Sequence, residues 1–221
     1  MAHLFGPEKS RPDPPRNSVS MMTRNTRVRR GALFILVVFS TLAVWGCAHE
    51  SNQGSRWERH SADALQALLQ GRYADAERLS VAALHEAESS GEADPRLAIS
   101  LDNLAQIYMA QGKVAQAVPL YYRAIAISEK VLGPNHPYLA MTLHHLADLY
   151  SFQRKYSQAE PLYQRALAIY EMAVEPNHPY IAMTLENYAA LLQATNRADK
   201  AAPLEARAKD LRSKIGTQSS R

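Results

Sequence analysis

Cysteine is almost missing from this chain: Cys47 stands alone in 221 residues. One thiol closes no internal disulfide and completes no zinc site, so neither staples the fold. A body free of cysteine also suits an oxidising compartment. An excess of one charge is lacking as well. Of 25 Lys+Arg and 21 Asp+Glu, residues 1–47 hold 7 and 2, which leaves 18 and 19 in residues 48–221. The pI near 9.2 therefore belongs to the N-terminal stretch. A balanced body offers no basic face from which counterions are released onto a phosphate backbone, which sets nucleic acid aside as a partner. Catalytic signatures are absent too: the sequence has no glycine-rich phosphate loop, no GxSxG elbow and no HExxH. No enzyme is expected, and no cofactor is implied.

Long apolar runs are scarce. Residues 31–45 (GALFILVVFSTLAVW) form an uncharged run of 15, short of the roughly 20 that a membrane span needs. The basic residues 24–30 (RNTRVRR) precede it, and Gly46 and Cys47 follow. A basic segment, a short apolar segment and a small residue in that order are the parts of an export signal. Leu42 through Cys47 (LAVWGC) resembles the lipobox of bacterial lipoproteins, in which cleavage before the cysteine leaves it as the lipidated N-terminus. Val44 and Gly46 match that pattern, whereas Trp45 stands where a small residue is usual. The resemblance implies lipidation at Cys47 and a periplasm-facing place in a bacterial envelope. Ala48, where an aspartate would favour the inner membrane, leans toward the outer one. The alternative is an uncleaved signal anchor with Cys47 an incidental thiol.

Residues 1–23 read as a Pro-rich polar extension, with disorder expected over 1–20. Initiation at Met21 or Met22 would give a signal of ordinary proportions. Residues 24–46 are then the signal, 47–56 the anchor and tether, 57–214 the body, and 215–221 a frayed tail.

What the body does have is repetition. Pro134-Asn135-His136-Pro137-Tyr138 recurs as Pro176-Asn177-His178-Pro179-Tyr180, a spacing of 42. Ala140, Met141, Thr142 and Leu143 recur in register as Ala182, Met183, Thr184 and Leu185. Pro119, Pro161 and Pro203 share one phase, and Arg123, Arg165 and Arg207 share another. Gln70-Gly71-Arg72 precedes Gln111-Gly112-Lys113 by 41. Four units result, at about 57–94, 95–136, 137–178 and 179–214.

Within a unit, Leu101, Leu104, Ala105 and Tyr108 step at helical intervals. Asp94 before Pro95 is an N-cap followed by a proline, tolerated in a first turn because its missing N–H would be unpaired there anyway. Gly112 marks the turn, and Ala117, Leu120, Tyr121, Ala124 and Ile127 carry a second helix. No segment alternates apolar and polar residues over a strand's length, so no sheet is expected.

Small residues at Ala105 and Ala117 let two antiparallel helices approach closely, with tyrosines filling the space beside them. The set Ala105, Tyr108, Ala117, Tyr121, Ala124 recurs as Ala147, Tyr150, Ala159, Tyr163, Ala166. In these positions, and in its LGPNHPYLA and YSQAEPLYQRALAIYE segments, the body resembles the tetratricopeptide repeat of the kinesin-light-chain type. That resemblance implies an all-α, right-handed superhelical solenoid of about four hairpins that binds a protein or peptide along its concave face. The outer units depart from the pattern, with Ser80 and Glu205 where the middle units have tyrosine. A terminal repeat has only one neighbour, and Glu205 suits a solvated last face.

Two readings compete for the histidines. His136 and His178 repeat with the period of the fold and stand in the phase of Asp94, which fits a structural N-cap. His144 and Asp148, four apart on one helix, could both reach a metal, but they lack further ligands and no metal is expected. The family resemblance places peptide-contacting polar residues two before the first-helix alanine, here Asn103, His145 and Asn187. Asp102, Gln106, His144, Asp148 and Glu186 neighbour them. The groove has no Lys/Arg cluster for a C-terminal carboxylate. The function expected is an envelope-anchored scaffold for a protein or peptide, in assembly or secretion. The alternative is a membrane-anchored structural module that forms a homo-oligomer.

Overall fold

A computed structural model describes residues 55–218. The expected extension, export signal, lipidation at Cys47 and tether fall on residues up to 54, outside the described residues. Eight helices and no strand occur among the described residues: α1 (Arg56–Leu69), α2 (Tyr73–Ser89), α3 (Pro95–Ala110), α4 (Val114–Val131), α5 (Pro137–Phe152), α6 (Tyr156–Ala173), α7 (Pro179–Ala194) and α8 (Ala198–Gln218). They pair as hairpins α1/α2, α3/α4, α5/α6 and α7/α8, and each second helix then packs on the next first helix. None is long and apolar enough to cross a membrane.

The starts of the helices follow from their caps. Ser55 and Glu58 close a capping box on α1. Asp94 caps α3 through the Arg96 N–H, and His136 and His178 do the same for α5 and α7. The Tyr138 N–H donates to His136 Nδ1 at 3.1 Å, and the Tyr180 N–H donates to His178 Nδ1 at 3.2 Å. Burial holds both imidazoles below the ordinary histidine range, which keeps Nδ1 free to accept.

The turn inside each hairpin is equally regular. Gly112 has φ of 75°, its N–H donates to the Met109 carbonyl, and the Lys113 N–H donates to that of Tyr108. This paired closure of a helix end needs a left-handed residue, for which glycine carries no side-chain penalty. Gly71 fills the position in the first hairpin. In the third and fourth it falls to Arg154 and Asn196, at φ 60° and 58°.

Alanines set the distance between the paired helices. Ala105, Ala117, Ala147 and Ala159 are wholly buried, and Ala189 and Ala201 nearly so. Tyr121 and Tyr163 fill the space between helices and are closed to solvent. Glu205, at the corresponding place in the last unit, is exposed. Pro119, Pro161 and Pro203 lie inside helices but on exposed faces, where water can meet the carbonyls they leave unbonded. The last helix runs to Gln218, beyond the expected limit at 214. Leu211, buried one turn before the half-buried Ile215, gives that extra turn an apolar foothold.

The repeated arginines explain how units stack on their outer side. Arg123 bonds Glu88 at 2.9 Å, Arg165 bonds Glu129 at 2.5 Å, and Arg207 bonds Glu171. Each arginine sits on a second helix and reaches back to the second helix of the unit before. First helices instead pack directly, α3 on α5 and α5 on α7. Closer approach of the first helices places them on the inner side of the curve.

Candidate functional site

The inner face is built from residues 43 apart. From the second unit on, a 42-residue period with one residue of offset brings position n of one first helix against n+1 of the next. Between the first two units the period is 41 and the offset two. Trp57 Nε1 donates to Ser100 Oγ at 2.8 Å, joining α1 to α3. His145 Nδ1 lies 3.1 Å from both oxygens of Asp102, joining α3 to α5. Asn187 Nδ2 lies 3.3 Å from His144 Nε2, joining α5 to α7.

Asp102 is 0 % exposed, and its acceptors are met by two donors. Gln106 Nε2 donates to Oδ2 at 2.7 Å from one turn along α3. His145 supplies the other from α5, and because a carboxylate only accepts, the hydrogen lies on His145 Nδ1. Burial alone would push the His145 imidazole down, but the Asp102 charge, its hydrogen bond and the nearby Asp148 outweigh this and hold it up.

A second knot lies one unit further along. Thr184 donates to the Tyr180 carbonyl at 2.8 Å, so its oxygen accepts from His144 Nδ1 at 3.1 Å. His144 Nε2 then faces Asp148 Oδ2 at 3.4 Å. Asp148 Oδ1 accepts from the Tyr163 hydroxyl at 2.5 Å and from Asn187 Nδ2 at 2.9 Å. Burial tends to raise the Asp148 carboxyl, but the neighbouring His144 and these hydrogen bonds hold it below the usual carboxylate range. Burial, then the Asp148 charge, pushes the Tyr163 hydroxyl far up and keeps it a donor.

Among the eight residues picked from the sequence, six form these two knots: Asp102, Gln106, His144, His145, Asp148 and Asn187. Asp102 and His144 lie in the interior and are not groove surface. The reason is geometric: successive first helices touch, so residues between them are covered by the next unit. Gln106 braces Asp102 and remains half-buried. Glu186 is held by Arg212 of α8 through two bonds of 2.9 and 3.0 Å. Asn103 is half-buried on α3 outside both knots. Tyr163 and Thr184 complete the network and were not among the sequence candidates. The 43-residue offset, applied along the first helices, is the signal that finds the cross-unit pairs. No group of three or more His, Cys, Asp or Glu among the described residues is arranged to hold a metal.

Residues 96–172 match the family model of the tetratricopeptide repeat. The second and third hairpins match the tetratricopeptide-repeat family, and the first and fourth are built on the same helix pairing. The matched span covers the two middle repeats, which carry the first knot and, of the second, His144, Asp148 and Tyr163. Among solved structures, BtubC (BKLC) from P. vanneervenii shares the fold with a TM-score of 0.67 at 22 % identity, over 88 % of this chain and 76 % of that one. The nearly identical TPR-like repeats of a Podosopora anserina protein of kinesin-light-chain type align with a TM-score of 0.58 at 23 % identity, over 87 % and 90 %. A single-substitution variant of those repeats aligns with a TM-score of 0.61 at 24 % identity, over 88 % and 91 %. No curated protein matches the chain by sequence. Tetratricopeptide arrays are typically non-enzymatic scaffolds for protein–protein interaction, and this chain has that fold.

Proposed function

We propose that the chain is an envelope-anchored tetratricopeptide scaffold that holds a protein or peptide partner against its first helices. One observation carries the binding half of this reading. The first helices are fixed to one another by cross-unit hydrogen bonds, so their free edges present a rigid face. A preorganised face loses little conformational freedom on binding, which leaves more of the contact energy as affinity. Asn103 on α3, outside both knots, and the exposed Gln193 on α7, whose amide meets Glu205, carry no fixed charge and suit an extended backbone. The anchoring half rests on residues 24–47 of the sequence, with Cys47 as the lipid-bearing residue. An exported array anchored this way would serve an assembly or secretion machine.

Two experiments test the halves separately. A photo-crosslinking residue at Asn103 or Gln193 should trap one discrete partner, while the same residue at Val81 on α2 should not. Equal labelling from both faces would contradict the groove. Intact mass and detergent partitioning of the full chain, wild type against Cys47→Ala, test the anchor. A product beginning at Cys47 with added acyl mass, lost in the variant, is expected. A product still carrying residues 22–46, equally membrane-bound in the variant, would show a signal anchor instead.

A further inference from the structure

A wholly buried carboxylate is costly to leave without a cation, because the interior cannot replace the hydration it loses. Asp102 is in that position, yet no Lys or Arg among the described residues bonds it. Its neighbours are the amide of Gln106 and the imidazole of His145. The only group in contact that can carry a positive charge is therefore one whose charge depends on pH in the physiological range. The same imidazole is the bond between the second and third repeats.

We infer that Asp102 and His145 form a proton-operated latch between α3 and α5, shut when His145 is protonated and loosened when it is not. The groups that face His145 support this assignment. From α3 comes Asp102. From α4 comes Tyr121, whose ring centre lies 6.3 Å away and whose hydroxyl is held protonated by burial. Along its own helix stand His144, with ring centres 6.2 Å apart, and Asp148. From α6 the Tyr163 hydroxyl is spent on Asp148. From α7 the neutral Thr184 and Asn187 are spent on the second knot, and Glu186 on Arg212. Every full charge facing the imidazole from another helix is thus negative and favours its proton.

The direction of the pH effect follows. A histidine held above its ordinary value of about 6.5 stabilises the fold fully below that value. The contribution is lost as pH rises through the raised folded value. The latch is the regulation of the face proposed above to hold a partner, and its effect on binding rests on that reading. The latch itself does not.

The test therefore uses no partner. In the full chain, the His145 ring is titrated by NMR while amide exchange is followed along α3 and α5, corrected for the intrinsic pH dependence of exchange. The wild type should titrate above the free-histidine value, and α3 and α5 should lose protection through the same pH interval. Asp102→Asn should move the titration down to or below the free value. His145→Gln should exchange faster at low pH and show no step. Should that variant fail to fold, the neutral pair Asp102→Asn/His145→Gln should fold and show flat protection between about pH 6 and pH 9. A wild-type His145 that titrates at or below the free value overturns the latch. So does an unmoved titration in Asp102→Asn, or a protection step that survives in the neutral pair. Failed crosslinks beside a sound titration would remove the groove reading and leave the latch standing.

Discussion

On the inner face, Asp102 and His145 meet across 43 residues with their side chains 0 % and 15 % exposed. On the outer face, Glu129 and Arg165 meet across 36 residues with 39 % and 43 % exposed. Both contacts join the second repeat to the third, and both recur along the array in altered form. The environments decide what each is worth. An exposed pair gains little over its hydrated parts and is screened by salt, contributing about 0–1 kcal/mol. A buried pair adds little against a well-packed apolar substitute, yet removing one partner strands the other and costs about 3–5 kcal/mol. The outer contacts thus set register at small cost, while the inner ones hold the repeats together conditionally.

The sharpest way to break this contrast is Asp102→Ala. It deprives buried His145 of its partner, and a loss of about 3 kcal/mol in urea unfolding is expected. A pH series on the wild type sharpens the contrast next. Asp148 is held below the usual carboxylate range, so it stabilises the fold above about pH 4 and loses that contribution as pH falls through its lower folded value. His145 fails in the opposite direction. Urea midpoints should therefore decline on both the acid and the alkaline side, and the Asp148→Asn variant should soften only the acid limb. Glu77, Asp94 and Glu160, also held low by their partners, contribute to that limb as well. Arg165→Ala should cost about 0.5 kcal/mol, and the difference should shrink in roughly 1 M salt. Of comparable size and opposite sign is Arg154→Gly, which relieves a left-handed residue but loosens the unfolded chain. A net gain of no more than about 1 kcal/mol is expected, measured by thermal or urea midpoint.

Much of the fold was legible because it is periodic and local. Asp94, His136 and His178 stand one residue before prolines, and each caps its helix as that spacing predicts. Ala105 with Ala117, and Ala147 with Ala159, marked the close approach within hairpins. Gly112 revealed the turn; Arg154 gives no sign of a left-handed backbone, and Asn196, a residue that tolerates one, was the signal left unread. The arginine phase at 123, 165 and 207 was visible, whereas its partners at Glu88, Glu129 and Glu171 were not read with it. Their pairing depends on how far one second helix lies from the next. The groove suffered the same blindness. Helical phase put Asp102 and His144 on the right face of their helices, but only inter-repeat packing shows that a neighbour covers them. Tyr163 was legible as core, not as the donor that holds Asp148.

The repeats are locked on their inner face and only aligned on their outer one. A pair of double-mutant cycles at about pH 6 tests this lock directly, Asp102→Ala with His145→Ala against Glu129→Ala with Arg165→Ala. A coupling energy for the inner pair several times that of the outer pair is expected, falling at about pH 9 while the outer coupling holds. An inner coupling no larger than the outer one, or one indifferent to pH, would contradict it.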